Sequence, residues 1–109
     1  IVREESGLAK SSRNKLLTAE QLEVAPQIYR IITETCAEIP ESQTPDALIE
    51  TLKSKIDSVK FMKMEYAAFC NSENLELLSK FDKKIGTRLC IAVWCGNIRL
   101  IDNINCDIK

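Results

Sequence analysis

Between Thr18 and Val59 the apolar positions recur at helical spacing, whereas after Lys60 they recur at every second residue. The chain therefore divides into a helical half followed by a stranded half. Thr18 and Gln21 have the spacing of a capping box, in which each residue's side chain serves the other's backbone N–H, and Pro26 interrupts the helical pattern after it. A short helix ending before Pro26 is predicted. Pro26 suits the first position of the next helix, whose apolar stripe is Tyr29, Ile32 and Cys36 flanked by Ile28, Ile31 and Thr35, and Pro40 is expected to close it. Thr44 is an N-cap candidate with Pro45 behind it. From there Leu48, Leu52, Ile56 and Val59 mark the buried side of a further helix, with Glu50, Lys53, Lys55 and Asp57 toward solvent.

In the second half, Met62, Met64, Tyr66 and Ala68 alternate with Phe61, Lys63, Glu65 and Ala67, which describes a half-buried strand with both methionines packed on one face. A short helix is predicted around Asn74 to Leu78, and Lys80 to Lys84 reads as a solvated charged loop running to Gly86. The run Leu89 to Trp94 is a strand, with Trp94 expected as a core or hairpin anchor. Gly96 and Asn97 supply a two-residue turn, and Ile98, Leu100 and Ile101 return as a third strand, with Asp102 and Asn103 near its end. These stripes are buried most economically in an α+β fold of two layers: a three-stranded, mostly antiparallel sheet with two main helices on one face.

A chain of 109 residues supports one modest core. Its 15 basic and 16 acidic residues leave a net charge of −1, so no general field draws it to nucleic acid or to a membrane surface, and any anion site must be local. No apolar run approaches the length of a membrane span. Five cysteines without a CxxC pair, and no histidine, make a zinc site a poor prospect and point to reduced thiols in a cytoplasmic setting. The lack of histidine also removes every Ser/His and Cys/His nucleophile arrangement, so no catalytic residue is expected in the chain. The sequence opens at Ile1 without methionine and without a signal-peptide pattern, as expected of a piece cut at an exposed linker.

One segment concentrates anion-binding chemistry. GLAKSSRNK, from Gly7 to Lys15, brings three cations and two hydroxyls into a loop just ahead of a helix. Arg13 offers a fork of donors, Lys10 a compact charge, and Ser11 and Ser12 short donors, a set matched to phosphate oxygens. On spacing alone, a solvated basic loop and a binding module that contacts a phosphorylated partner both remain open readings. Six aromatic residues (one Trp, two Tyr, three Phe) are few for a nucleic-acid stacking platform.

The run VREESGLAKSSRNKLLT, with AP and Tyr29 after it, resembles the segment that opens the C-terminal domain of pantoate-beta-alanine ligases; Gly96 followed by RLIDN, Arg99 to Asn103, resembles that family's closing hairpin. The resemblance implies an ATP-dependent, AMP-forming ligase that joins pantoate to beta-alanine through a pantoyl adenylate. It implies that residues 1–17 are an interdomain lead-in and phosphate-binding loop, and that 18–109 form a hinged C-terminal lid. The partner would be an N-terminal Rossmann-like nucleotidyltransferase domain with HIGH-type histidines, which binds both substrates, holds most of the Mg2+-ATP and forms the homodimer. The ATP-binding residues would be Val2, through its backbone at the adenine or ribose, and Lys10, Ser11, Ser12 and Arg13 at the phosphates. Two positions depart from the family pattern. Ser6 replaces the usual aspartate before glycine. Lys10 replaces methionine or leucine, either adding a phosphate contact or projecting into solvent.

Overall fold

The computed structural model describes residues 2–109; Ile1, at the head of the expected lead-in, lies outside them. A 3-10 turn, Ser12–Leu16, precedes helices α1 (Ala19–Val24), α2 (Gln27–Cys36) and α3 (Pro45–Asp57). Strands β1 (Met62–Asn71), β2 (Thr87–Cys95) and β3 (Ile98–Cys106) come next and pair antiparallel in that order. The two-layer α+β arrangement expected from the patterning is the one observed, with α3 against β1 and α2 against both α3 and β3.

The helix starts follow local chemistry. Thr18 and Gln21 close a reciprocal capping box on α1, and the Thr44 hydroxyl accepts from the Ala47 N–H ahead of α3, with Pro45 at its first turn. The α2 stripe buries Ile28, Ile31, Ile32, Thr35 and Cys36, and Leu52 and Ile56 of α3 are fully buried. Yet α2 stops at Cys36, short of Pro40. A residue before proline is steered out of the helical region, and Ile39 instead lies extended beside Ile108. The Cys36 carbonyl accepts from Asp107 N–H (2.9 Å) and Ile39 N–H donates to the Asp107 carbonyl (2.8 Å). In the same corner the Cys36 and Cys106 sulfurs lie 3.1 Å apart, both cysteines free.

Strand β1 corrects the simple alternation. Met62 and Met64 point inward, but a bulge at Glu65 breaks the register between Met64 and Tyr66. One extra residue reverses the phase of everything after it. Tyr66 is exposed, and Phe69 takes the buried position against Phe81, ring edge to ring face at 5.0 Å. Phe81 is thus core within a segment, Lys80 to Lys84, that patterning assigns wholly to solvent. The Met64 N–H at the bulge donates to the Asp57 carboxylate (2.8 Å), joining the end of α3 to β1.

The helix expected at Asn74 to Leu78 does not form. The Asn71 and Asn74 side chains accept from the N–H groups of Glu73 and Glu76, and Leu75 adopts a left-handed φ of 61°. Local asparagine bonds of this kind compete with a helix. The segment folds back on β1 instead, with Leu77 opposite Cys70. The β2–β3 turn is the expected one, with Gly96 at φ 60° and its Cα close against the Gln21 side chain. Trp94 lies on the helix-free face, exposed, rather than in the core. Among the described residues no helix is long and apolar enough to cross a membrane.

Two outcomes test this packing. Leu52→Ala should lower the unfolding free energy of the 109-residue chain by about 2–5 kcal/mol in chemical denaturation, since the residue is fully buried. The second concerns Asp57, whose carboxyl is held below its ordinary range first by the Lys53 hydrogen bond, then by the Met64 N–H. A depressed folded-state value means stability that is present above about pH 4 and lost as pH falls through the folded value. Asp57→Asn should therefore be less stable than the parent chain at neutral pH, and the difference should close on acid titration.

Candidate functional site

The segment expected as a lead-in and phosphate-binding loop opens with a tight hairpin. The Lys10 N–H donates to the Val2 carbonyl (2.8 Å), Glu4 N–H to the Leu8 carbonyl (2.7 Å) and Gly7 N–H to the Glu4 carbonyl (2.9 Å), with Arg3 opposite Ala9. The turn needs its glycine. Gly7 has φ 95°, and a Cβ there would sit 2.5 Å from the Tyr29 ring of α2. Ser6 closes the turn with an acceptor: its hydroxyl receives the Leu8 N–H at 3.5 Å.

The hairpin leads directly into the Ser12–Leu16 turn. Ser11 is its N-cap, accepting from the Arg13 N–H at 3.1 Å, which leaves the hydroxyl proton available for donation. Asn14 is buried and donates to the Ala9 carbonyl (3.0 Å), while Leu8 and Leu17 enter the core on either side. The backbone from Ala9 to Leu17 is thereby fixed from beneath, and the side chains of Lys10, Ser11, Ser12 and Arg13 are all exposed.

The hairpin places Val2, itself 70% exposed, directly beside Lys10. Lys10 and Ser11 border a groove of about 450 Å³ with Tyr66, Arg99 and Asn103. Arg13 turns the other way, with Trp94 and Leu16, and its guanidinium donates to the Arg99 carbonyl at 3.4 Å. Arg99 borders both grooves. It reaches across β2 to Glu65, two N–H groups meeting two carboxylate oxygens at 3.0 and 2.9 Å, and this bond raises the Arg99 value and lowers that of Glu65.

Patterning overlooks Arg3. Its guanidinium donates to both oxygens of Asp102 at 2.7 Å, to the Gly7 carbonyl at 3.0 Å and to the Asn103 carbonyl at 3.4 Å, and it lies 4.0 Å from the centre of the Tyr29 ring. Hydrogen bonding to Asp102 holds Arg3 above its ordinary value. Asp102 is not near a strand end but in the middle of β3, facing inward and buried. The available signal was its position: an acid in phase with Ile98, Leu100 and Ile104, where an apolar side chain is expected. Among the described residues no group of three or more His, Cys, Asp or Glu side chains is arranged to hold a metal ion.

Comparison with known proteins supplies the family. The family described as Pantoate-beta-alanine ligase matches residues 1–105. A pantothenate synthetase of Porphyromonas gingivalis is 35% identical over 104 residues, covering 95% of this chain and 37% of that protein. The chain thus spans little more than a third of such a relative. Among solved structures, the pantothenate synthetase of Thermus thermophilus superposes with a TM-score of 0.70 at 30% identity, over 94% of this chain and 37% of that one. The pantoate-beta-alanine ligase of Francisella tularensis, described as complexed with beta-gamma ATP and beta-alanine, does so at 0.60 and 32% identity, over 95% and 30%. With a family match across nearly its whole length, the chain belongs to the pantoate-beta-alanine ligase family.

Proposed function

We propose that this chain is the C-terminal, ATP-clasping part of a pantothenate synthetase, an enzyme that condenses pantoate and beta-alanine while cleaving ATP to AMP and pyrophosphate. The observation that carries the reading is the Lys10–Arg13 loop. Its backbone is held by buried groups and its four side chains are all exposed, Lys10 beside Val2 and Arg13 on the side of Trp94, in a chain whose family relative from Francisella tularensis is described with a bound ATP compound.

The chemistry fits phosphate. Ser11 and Ser12 present hydroxyl protons, Arg13 a planar fork and Lys10 a charge at the same groove as Ser11, which favours the contact over a solvent role for that lysine. Adenylation moves negative charge onto the departing pyrophosphate, so donors that tighten as that charge develops lower the barrier. The backbone of Val2 would lie toward the adenine or ribose. The loop holds hydroxyls and cations but no carboxylate, so it suits the phosphates and not Mg2+, which falls to the rest of the enzyme.

In this reading residues 1–17 link to an N-terminal nucleotidyltransferase domain and 18–109 act as the lid that excludes water from the pantoyl adenylate. The other domain supplies the acid-base groups, the pantoate and beta-alanine sites and the homodimer contact. The setting is cytoplasmic.

The 109-residue chain alone should form no pantothenate from pantoate, beta-alanine and ATP; turnover by the pure chain would refute the division of labour. In the complete enzyme, Arg13→Ala should slow pantoate-dependent pyrophosphate release on the order of 10²- to 10³-fold, the cost of losing one donor to a developing anion. An unchanged rate would refute the clasp reading.

A further inference from the structure

We infer that Arg3, gripped by Asp102 and stacked on Tyr29, is the positioning residue of the phosphate loop, setting the orientation in which Ser11, Ser12 and Arg13 meet their ligand. The inference rests on the ATP-clasp reading of that loop and adds to it a residue that itself touches no phosphate.

The contacts of Arg3 converge from three parts of the fold: β3, the hairpin and α2. Two of its N–H groups grip the Asp102 carboxylate of β3, one also reaches the Gly7 carbonyl in the hairpin's own turn, and the planar head lies over the Tyr29 ring of α2. The side chains of Arg3 and Asp102 are 18% and 6% exposed, so the fork has little room to re-orient. Asp102 is further held by the Asn103 N–H at 2.7 Å. A guanidinium so fully occupied by protein partners acts through what it holds.

What it holds is the arm that carries the loop. Arg3 sits opposite Ala9, and Lys10 N–H is bonded to Val2, so the pitch of the hairpin passes to Ser11 within two residues. The Asn14 bond to the Ala9 carbonyl fixes the far side of the same arm. Any tilt of the hairpin therefore displaces the Ser11 hydroxyl and the Arg13 fork together.

Stability alone is a weak reason for this pair. A buried ion pair is often no better than apolar side chains of similar volume, because both charges lose their water. Asp102 occupies an inward position whose neighbours along the strand are apolar, so leucine or valine would serve a purely structural end. A bidentate fork adds directional constraint, which apolar contact does not. Displacing a reacting group by about 1 Å costs up to about 10²-fold in rate; direction is what this site requires.

The test uses the complete enzyme. Arg3→Lys keeps the charge and loses the fork, and Asp102→Asn keeps the shape and loses the charge. Each should lower kcat/KM for ATP by about 10- to 100-fold, with KM for pantoate and beta-alanine unchanged and the cooperative thermal transition retained. The double variant should be little worse than either single one, since both remove the same constraint. Three results would overturn the inference: unchanged ATP kinetics in both single variants, all three KM values rising together, or loss of the folded state in both. Arg13→Ala measured alongside separates the two levels. If it impairs ATP use while Arg3→Lys does not, the positioning role falls and the clasp stands; if Arg13→Ala is itself without effect, the clasp reading fails and the inference with it.

Discussion

Two helices can cover one face of a three-stranded sheet and no more, so every strand residue is sorted by its phase relative to that face. In β1 the phase changes once, at Glu65. The bulge lets Met62 and Met64 pack inward on one count and Phe69 on the other, and it sends Glu65 and Tyr66 together to the uncovered side. Glu65 there captures Arg99, and Tyr66 becomes a wall of the groove beside Lys10 and Ser11. An irregularity in the sheet thus shapes the surface next to the loop. The Asp57 bond to the Met64 N–H at the same place occupies a backbone donor where the ladder is interrupted.

The helices were legible because their signals are local. A capping box, a proline at the first turn and a stripe at steps of three and four lie within a dozen residues of one another; the starts of α1 and α3 follow them, and α2 begins one residue after Pro26, which serves as its N-cap. The central strand was equally plain, since residues Leu89 to Val93 carry no competing signal. Where the reading failed, a partner distant in sequence decided the outcome. Nothing near Glu65 announces a bulge; the reason lies in Phe69 meeting Phe81 and in Asp57 meeting Met64. Asn74 to Leu78 looked helical by composition, but Asn71 and Asn74 spend their side chains on nearby N–H groups.

The site divides in the same way. The donors of the loop were visible because cations and hydroxyls at close spacing are conspicuous, and the resemblance at the two chain ends gave them a ligand. What fixes those donors was not visible. Arg3 and Asp102 are 99 residues apart, and although the phase of Asp102 with Leu100 and Ile104 marks it as inward, nothing local names its partner. Gly7 stands out in the sequence only as the start of the cationic segment, and it takes the fold to show that its missing side chain makes room for Tyr29. The loop is held by an arm pinned through Arg3 and Asn14 beneath exposed donors, the arrangement expected when the backbone is to be preorganised and the side chains are to meet a ligand.

Asp102 has one more consequence, for how copies of this chain meet. Strand β3 is an edge of the sheet, and an unshielded edge is a template on which a strand from another molecule can add itself. An inward-facing carboxylate, already committed to an arginine from the opposite end of the chain, spoils that template. A second strand laid along β3 would compete with the hairpin for space and threaten to strand a buried charge. The ion pair between Arg3 and Asp102 thus sits on the edge strand, where any added strand would have to be laid.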